Sequence, residues 1–288
     1  MKKISAAAGL MITMLLAGCS GGGTSQSTPV SGVVADGYLQ NALVFLDKNS
    51  NYQLDDGEPS ARTDQNGAYT LNVAPEDIGS YPIVALALAG ETIDMDNPGQ
   101  RLDTSYVLCT PAAGVSGTVS NFISPISTLL REKLVSNPGM TLDEAMVQLR
   151  NQMNLPAGVN MMGDYVAGSV RQNEHQERYQ TMYQVAQQLA TLMGEQSGRV
   201  MNGRSGANMG QYRSMLGEIN SYLPQIADNA MLHRGTDSAI MDELRQAMIT
   251  RMTANGGFGN YSTLFQNMTS HRYFWNYSGG QMRPHGRM

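Results

Sequence analysis

The pattern of apolar residues changes once along this chain, and that change sets the fold class. From residue 30 to about 110 the apolar residues fall in short runs: VSGVV, NALVFLD, GAYTLNV, YPIVALAL and TSYVLCT. Turn residues separate them. Runs rich in Val, Ile, Leu and Tyr, bounded in this way, predict strands. Tyr69, Leu71 and Val73 share one face by period two, and Asn66-Gly67 supplies the positive φ of a tight turn ahead of them. The stretch PAAGVSGT, residues 111–118, is hinge-like. Beyond it strand signals nearly stop and helical ones begin. Ser124-Pro125 is an N-cap with proline at the first helical position, for a helix running to about Val135. Thr141-Leu142-Asp143-Glu144 is a capping box. Residues 171–195 form the longest candidate, with a stripe of Tyr179, Met182, Tyr183, Ala186, Ala190 and Met193. Residues 209–232 continue the theme and Pro224 kinks or splits them; 237–252 and a short 261–268 follow. The expectation is an α+β protein of two domains: a small β-sandwich over residues 30–112, then an all-α, Met-rich domain over 118–288.

The first residues set the compartment. A basic start at Lys2-Lys3 and an apolar stretch to Gly18 make residues 1–18 a secretory signal, too short for a permanent membrane span. Its end, Leu16-Ala17-Gly18-Cys19, resembles the bacterial lipobox. That resemblance implies cleavage before Cys19 and lipid, palmitate included, on its thiol and new amine. Three acyl chains hold firmly where one does not. Ser20 follows in place of aspartate, which in Gram-negative bacteria implies the outer membrane; the facing leaflet is left open. Residues 19–29, rich in Gly, Ser and Thr, form a flexible tether. Cleavage removes two lysines and no acid, so the formal charge moves from −5 to −7. Nucleic acid is a poor partner for such a chain. Cys109 is then the sole free thiol, which excludes an intramolecular disulfide.

The stretch DKNSNYQLDDGEP packs four acids and two asparagines into thirteen residues. With Asp47 as position 1, Asn49, Asn51, Asp55 and Glu58 stand at 3, 5, 9 and 12, and the Gln53 carbonyl at 7. This is the oxygen spacing of an EF-hand-type calcium loop. Alternate side chains of a tight loop converge on one point, and a later glutamate closes the shell. Calcium takes roughly six to eight hard oxygens at about 2.3–2.6 Å. Asp56 is an alternative to Asp55, and Asp64 is near enough in sequence to join. Position 6 departs from the pattern: Tyr52 stands where an EF-hand has glycine. Strand and turn signals flank the loop, so the ligand logic applies without the EF-hand fold. The plain alternative is a solvated acidic turn.

The stretch from Ser31 to Leu71 resembles the carboxypeptidase-regulatory-like and Cna/Sdr B-type modules of bacterial surface proteins. The shared elements are an opening G-x-V strand, A-x-V-x-L-D before the acidic loop, D-x-G-E-P, and T-D-x-x-G-x-Y. The resemblance implies a prealbumin-like sandwich, structural calcium in the 47–58 loop, and structural or adhesive use. Many such modules carry an internal Lys–Asn isopeptide bond; Lys48, inside the acidic loop, is poorly placed for one. NFISPISTLLREKL and the residues after it resemble the helical region that follows this sandwich in many bacterial lipoproteins. That family brings no activity.

Other motifs point to less. GRVMNGRS, residues 198–205, has P-loop spacing, but Arg204 replaces the lysine and no strand precedes it. His175, His233, His271 and His285 make no zinc pattern. Ser116 lacks the nucleophile-elbow spacing. Seventeen of 21 methionines follow Thr118, which suits adaptable packing better than copper. Tyr273, Trp275 and Tyr277 in YFWNY are candidates for a partner or glycan contact. The sequence thus predicts a non-enzymatic, lipid-anchored envelope protein for adhesion, matrix contact or scaffolding, with an unnamed protein or glycan partner. A carbohydrate-binding accessory lipoprotein and a hydrolase with its site in the helical domain are the rivals.

Overall fold

A computed structural model describes residues 27–172, 174–234 and 238–254. The signal, Cys19 and most of the tether lie outside them, as do the 261–268 segment and Tyr273, Trp275 and Tyr277. The chain is a mixed α+β protein. Its strands are β1 (Thr28–Val34), β2 (Leu39–Gln40), β3 (Leu43–Leu46), β4 (Ser60–Arg62), β5 (Ala68–Val73), β6 (Ile83–Ala87), β7 (Ile93–Asp94), β8 (Tyr106–Thr110) and β9 (Asn121–Ile123). The helices are α1 (Pro125–Ser136), α2 (Leu142–Gln152), α3 (Tyr165–Val170), α4 (Gln176–Glu195), α5 (Ser197–Val200), α6 (Met209–Ser221), α7 (Leu223–His233) and α8 (Ser238–Ala254).

One sheet has the order β5-β1-β9, a second β4-β3-β6-β8, and β2 pairs with β7. β1 and β5 are antiparallel, with Gly32 opposite Tyr69 and Ser31 opposite Thr70. Their side chains alternate as the sequence predicts. Val30, Val34, Tyr69, Leu71 and Val73 are buried, while Ser31 and Thr70 meet on the outer face in a 2.9 Å hydrogen bond. Gly32 cannot carry a side chain, because a Cβ there would stand 2.1 Å from the Asn121 carbonyl oxygen. β6 and β8 differ in kind: both are buried at every residue. Strands covered on both faces read as continuous apolar runs, and IVALA and YVLCT do.

The second covering layer is helical. α1 and α4 approach β8, and α1, α4 and α6 approach one another. Thr128 Oγ1 accepts a 2.9 Å bond from the Cys109 amide, and Ser127 Oγ donates 2.7 Å to the Cys109 carbonyl. Tyr212 donates 2.8 Å to the Val107 carbonyl, and Tyr165 donates 2.8 Å to that of Ala35. Buried residues of sheets and helices form one hydrophobic cluster.

Helix boundaries follow their caps. Ser124 accepts from the Ser127 amide, with Pro125 at N1, and Thr141 and Glu144 bond each other's backbone. Pro224 does not kink a long helix; it sits in the first turn of α7, where its missing N–H costs nothing. The 171–195 expectation begins five residues late, at Gln176, after the short α3. β9 lies beyond the 111–118 stretch, inside the span expected to be all helical, and pairs in parallel with β1. The chain thus returns to the first sheet before its helices begin. No helix of the described residues is long and apolar enough to cross a membrane.

Candidate functional site

The acidic loop joins β3 to β4, and its side chains close on themselves. Asp47 is fully buried at the end of β3. Its Oδ1 accepts from the Asn51 amide at 3.0 Å and its Oδ2 from the Tyr52 amide at 3.1 Å. Asn49 and Asn51 each turn Oδ1 onto the amide two residues on, at 3.2 and 2.7 Å. Their Nδ2 groups meet at Asp55 Oδ2, at 2.7 and 2.8 Å. Glu58 bonds the Lys48 amide at 2.7 Å and the Asp55 amide at 3.0 Å, drawing the two ends of the loop together.

The amide groups at positions 3 and 5 thus both donate to the position 9 carboxylate, and position 12 ties the ends of the loop. Each carboxylate and amide oxygen that takes one N–H keeps a second lone pair. The donor set is all oxygen, which suits a hard cation such as calcium. Asp47, Asn49, Asn51, Asp55, Glu58 and the Gln53 carbonyl are the residues to hold it. Among the described residues no three His, Cys, Asp or Glu side chains gather as a metal-holding group. Any ion here would depend on the two asparagines and the carbonyl as well as the acids. Burial pushes the Asp47 carboxyl up to about 6, against the opposing pull of the Arg131 guanidinium. A cation beside it would offset that desolvation.

Tyr52 accounts for the missing glycine. Its φ is 63°, a left-handed conformation that costs a side-chain-bearing residue about 1 kcal/mol or more. Its ring is fully buried between loop and helices. It meets Tyr212 edge-on at 4.7 Å, and the Arg131 guanidinium lies over it at 4.3 Å. The Tyr52 hydroxyl bonds Glu132 and Arg131. Glu132, itself fully buried, also takes Arg131 at 2.6 Å and Arg213 at 2.9 Å. A largely buried ion cluster thus stands against the loop. REKL in a helix reads as a solvated face, so composition hides it.

GRVMNGRS forms no phosphate cradle; it docks on the acidic loop. Leu54 donates 2.8 Å to the Ser205 carbonyl, Ala207 donates 3.0 Å to that of Tyr52, and Asn202 Nδ2 reaches Gln53 Oε1 at 3.1 Å. Asp64 is committed to its own turn, accepting from the Asn66 and Ala68 amides at 2.7 and 2.9 Å. Asp56 is exposed. Lys48 pairs with Asp77 at 2.8 Å. His175 bonds Arg178 and Glu174 in a local surface cluster. Met161, Met182, Met193, Met215 and Met248 are buried core residues.

A second polar cluster was invisible in the sequence. Asp36, 5% exposed, accepts 2.5 Å from Tyr106, and its Oδ1 has no partner. Burial, then Asp94, pushes its carboxyl up to about 8. Asp96 nearby takes Tyr183 and Gln187 from α4. Asp36 lies 58 or more positions in sequence from each of the others, so no local motif announces the cluster.

The chain matches no protein-family model, no curated protein and no solved structure. The resemblance to surface-protein modules therefore rests on the residues that carry it.

Proposed function

We propose that this chain is a non-enzymatic, lipid-anchored protein of the bacterial outer membrane, serving adhesion, matrix contact or scaffolding, with a structural calcium ion in the 47–58 loop. In this reading a sandwich over residues 30–112 supplies the rigid stem, and the helical region beyond residue 118 presents the specific surface. What supports it is the oxygen spacing of Asp47, Asn49, Asn51, Gln53, Asp55 and Glu58, in a loop whose two ends Glu58 draws together. Loops of this ligand type in extracellular modules bind calcium at about 10⁻⁴–10⁻³ M. Such an affinity suits a staple filled by external calcium rather than a sensor. In this reading the lipid sits on Cys19 once the signal before it has been cleaved.

The test uses cells expressing the full chain. Labelled palmitate is expected on the wild type and lost with Cys19→Ala. Chemical crosslinking in intact envelopes is expected to trap a partner with calcium present and to lose it with chelator. A wild-type chain that takes no lipid and stays soluble would contradict the anchor. Crosslinks indifferent to chelator would contradict the staple.

A further inference from the structure

Tyr52 belongs to two structures at once. Its amide is fixed by Asp47 Oδ2, the first position of the loop, and its ring and hydroxyl are fixed by Tyr212, Arg131 and Glu132 in α6 and α1. Asp47 in turn feels Arg131. The backbone bonds from Leu54 to Ser205 and from Ala207 to Tyr52 add a second tie on the same side. Glycine would hold the left-handed turn without strain. A tyrosine is strained there, and what it contributes is contact with the helices.

We propose that Tyr52, Arg131 and Glu132 are positioning residues for the cation loop, so that ion binding and the seating of α1 and α6 on the sheet are thermodynamically linked. This rests on the calcium reading above. An ion that orders Asp47 and Asn51 fixes the Tyr52 backbone, and the buried ring transmits that order to Glu132 and Tyr212. Linkage is reciprocal: loosening the ion cluster must weaken calcium, although none of its members touches the ion.

The experiment compares the full chain in detergent with Tyr52→Phe and Glu132→Gln, which keep every loop ligand and nearly the same volume. Calcium affinity is read by calorimetry, and amide exchange in residues 125–136 and 209–221 is read with and without calcium. Wild type is expected to bind, with exchange in both helices slowed severalfold. Both variants are expected to keep the far-ultraviolet spectrum, to bind calcium severalfold more weakly, and to lose most of the helix protection. Wild type that binds while both variants match it in affinity and protection overturns the linkage and leaves the calcium site standing. Wild type that shows no heat removes the calcium site, and the linkage with it.

Discussion

Tyr106 donates a 2.5 Å hydrogen bond to the buried carboxyl of Asp36, tying β8 to the turn that follows β1. The other oxygen of Asp36 has no partner. Asp36 therefore holds its proton in the folded chain up to about pH 8, against an ordinary value of 3.8. Between those values the folded state binds a proton that the unfolded state has lost, so stability falls as pH rises through that window. Asp47 and Asp94 shift in the same direction, so the informative quantity is a difference. Melting temperature of wild type minus that of Asp36→Asn is expected to decline from pH 4 to pH 8. A pH-independent difference would refute the assignment.

Lys133 is fully buried in α1, and its Nζ has no hydrogen-bond partner. Burial lowers its ammonium to about 8. Below that pH the folded chain bears an uncompensated charge, a cost relieved only as pH rises toward 10.5. Lys133→Met, of similar length and no charge, is expected to raise stability at neutral pH by about 1–3 kcal/mol. Denaturant unfolding measures it. A loss of stability would mean that the ammonium has a role which its surroundings do not reveal.

Fully buried Glu132 holds two guanidiniums, that of Arg131 buried and that of Arg213 mostly so. Removing one member of such a set costs about 3–5 kcal/mol, because buried charge is left unpaired. Glu132→Ala is expected to lose that much by chemical denaturation. Double replacement of Glu132 and Arg131 by apolar residues is expected to recover part of it.

Gly206 lies against the acidic loop so closely that a Cβ would stand 2.0 Å from the Tyr52 carbonyl oxygen and 2.5 Å from Gln53 Cα. Gly206→Ala is expected to push the 201–207 segment off the loop. Limited proteolysis reads this as new cleavage near Arg204, with the sheets left intact.

Much of this was legible, for identifiable reasons. Period-two alternation fixed the inward face of β5, since Tyr69, Leu71 and Val73 had only one buried side to face. Local chemistry fixed the starts of α1 and α2, because Ser124 and Thr141 cap within three residues. β9 escaped, because three residues show no periodicity. Arg131, Glu132 and Lys133 escaped because charge in a helix normally means solvent, and only tertiary layering on both sides of α1 reverses that. Asp36 escaped because its partners are remote in sequence. Tyr52 announced itself as a departure from the expected glycine, but its reason lay in Tyr212 and Glu132, 160 and 80 residues away.

A divalent cation filling the 47–58 loop, as proposed, would rigidify the protein. Thermal melting of the full chain in detergent, in EDTA and then in rising calcium, measures that effect. A concentration-dependent rise in melting temperature is expected across the millimolar range, abolished in Asp47→Asn combined with Asp55→Asn. A melting temperature unmoved by EDTA and by about 10 mM calcium, well above the ~10⁻³ M expected of such loops, would contradict it.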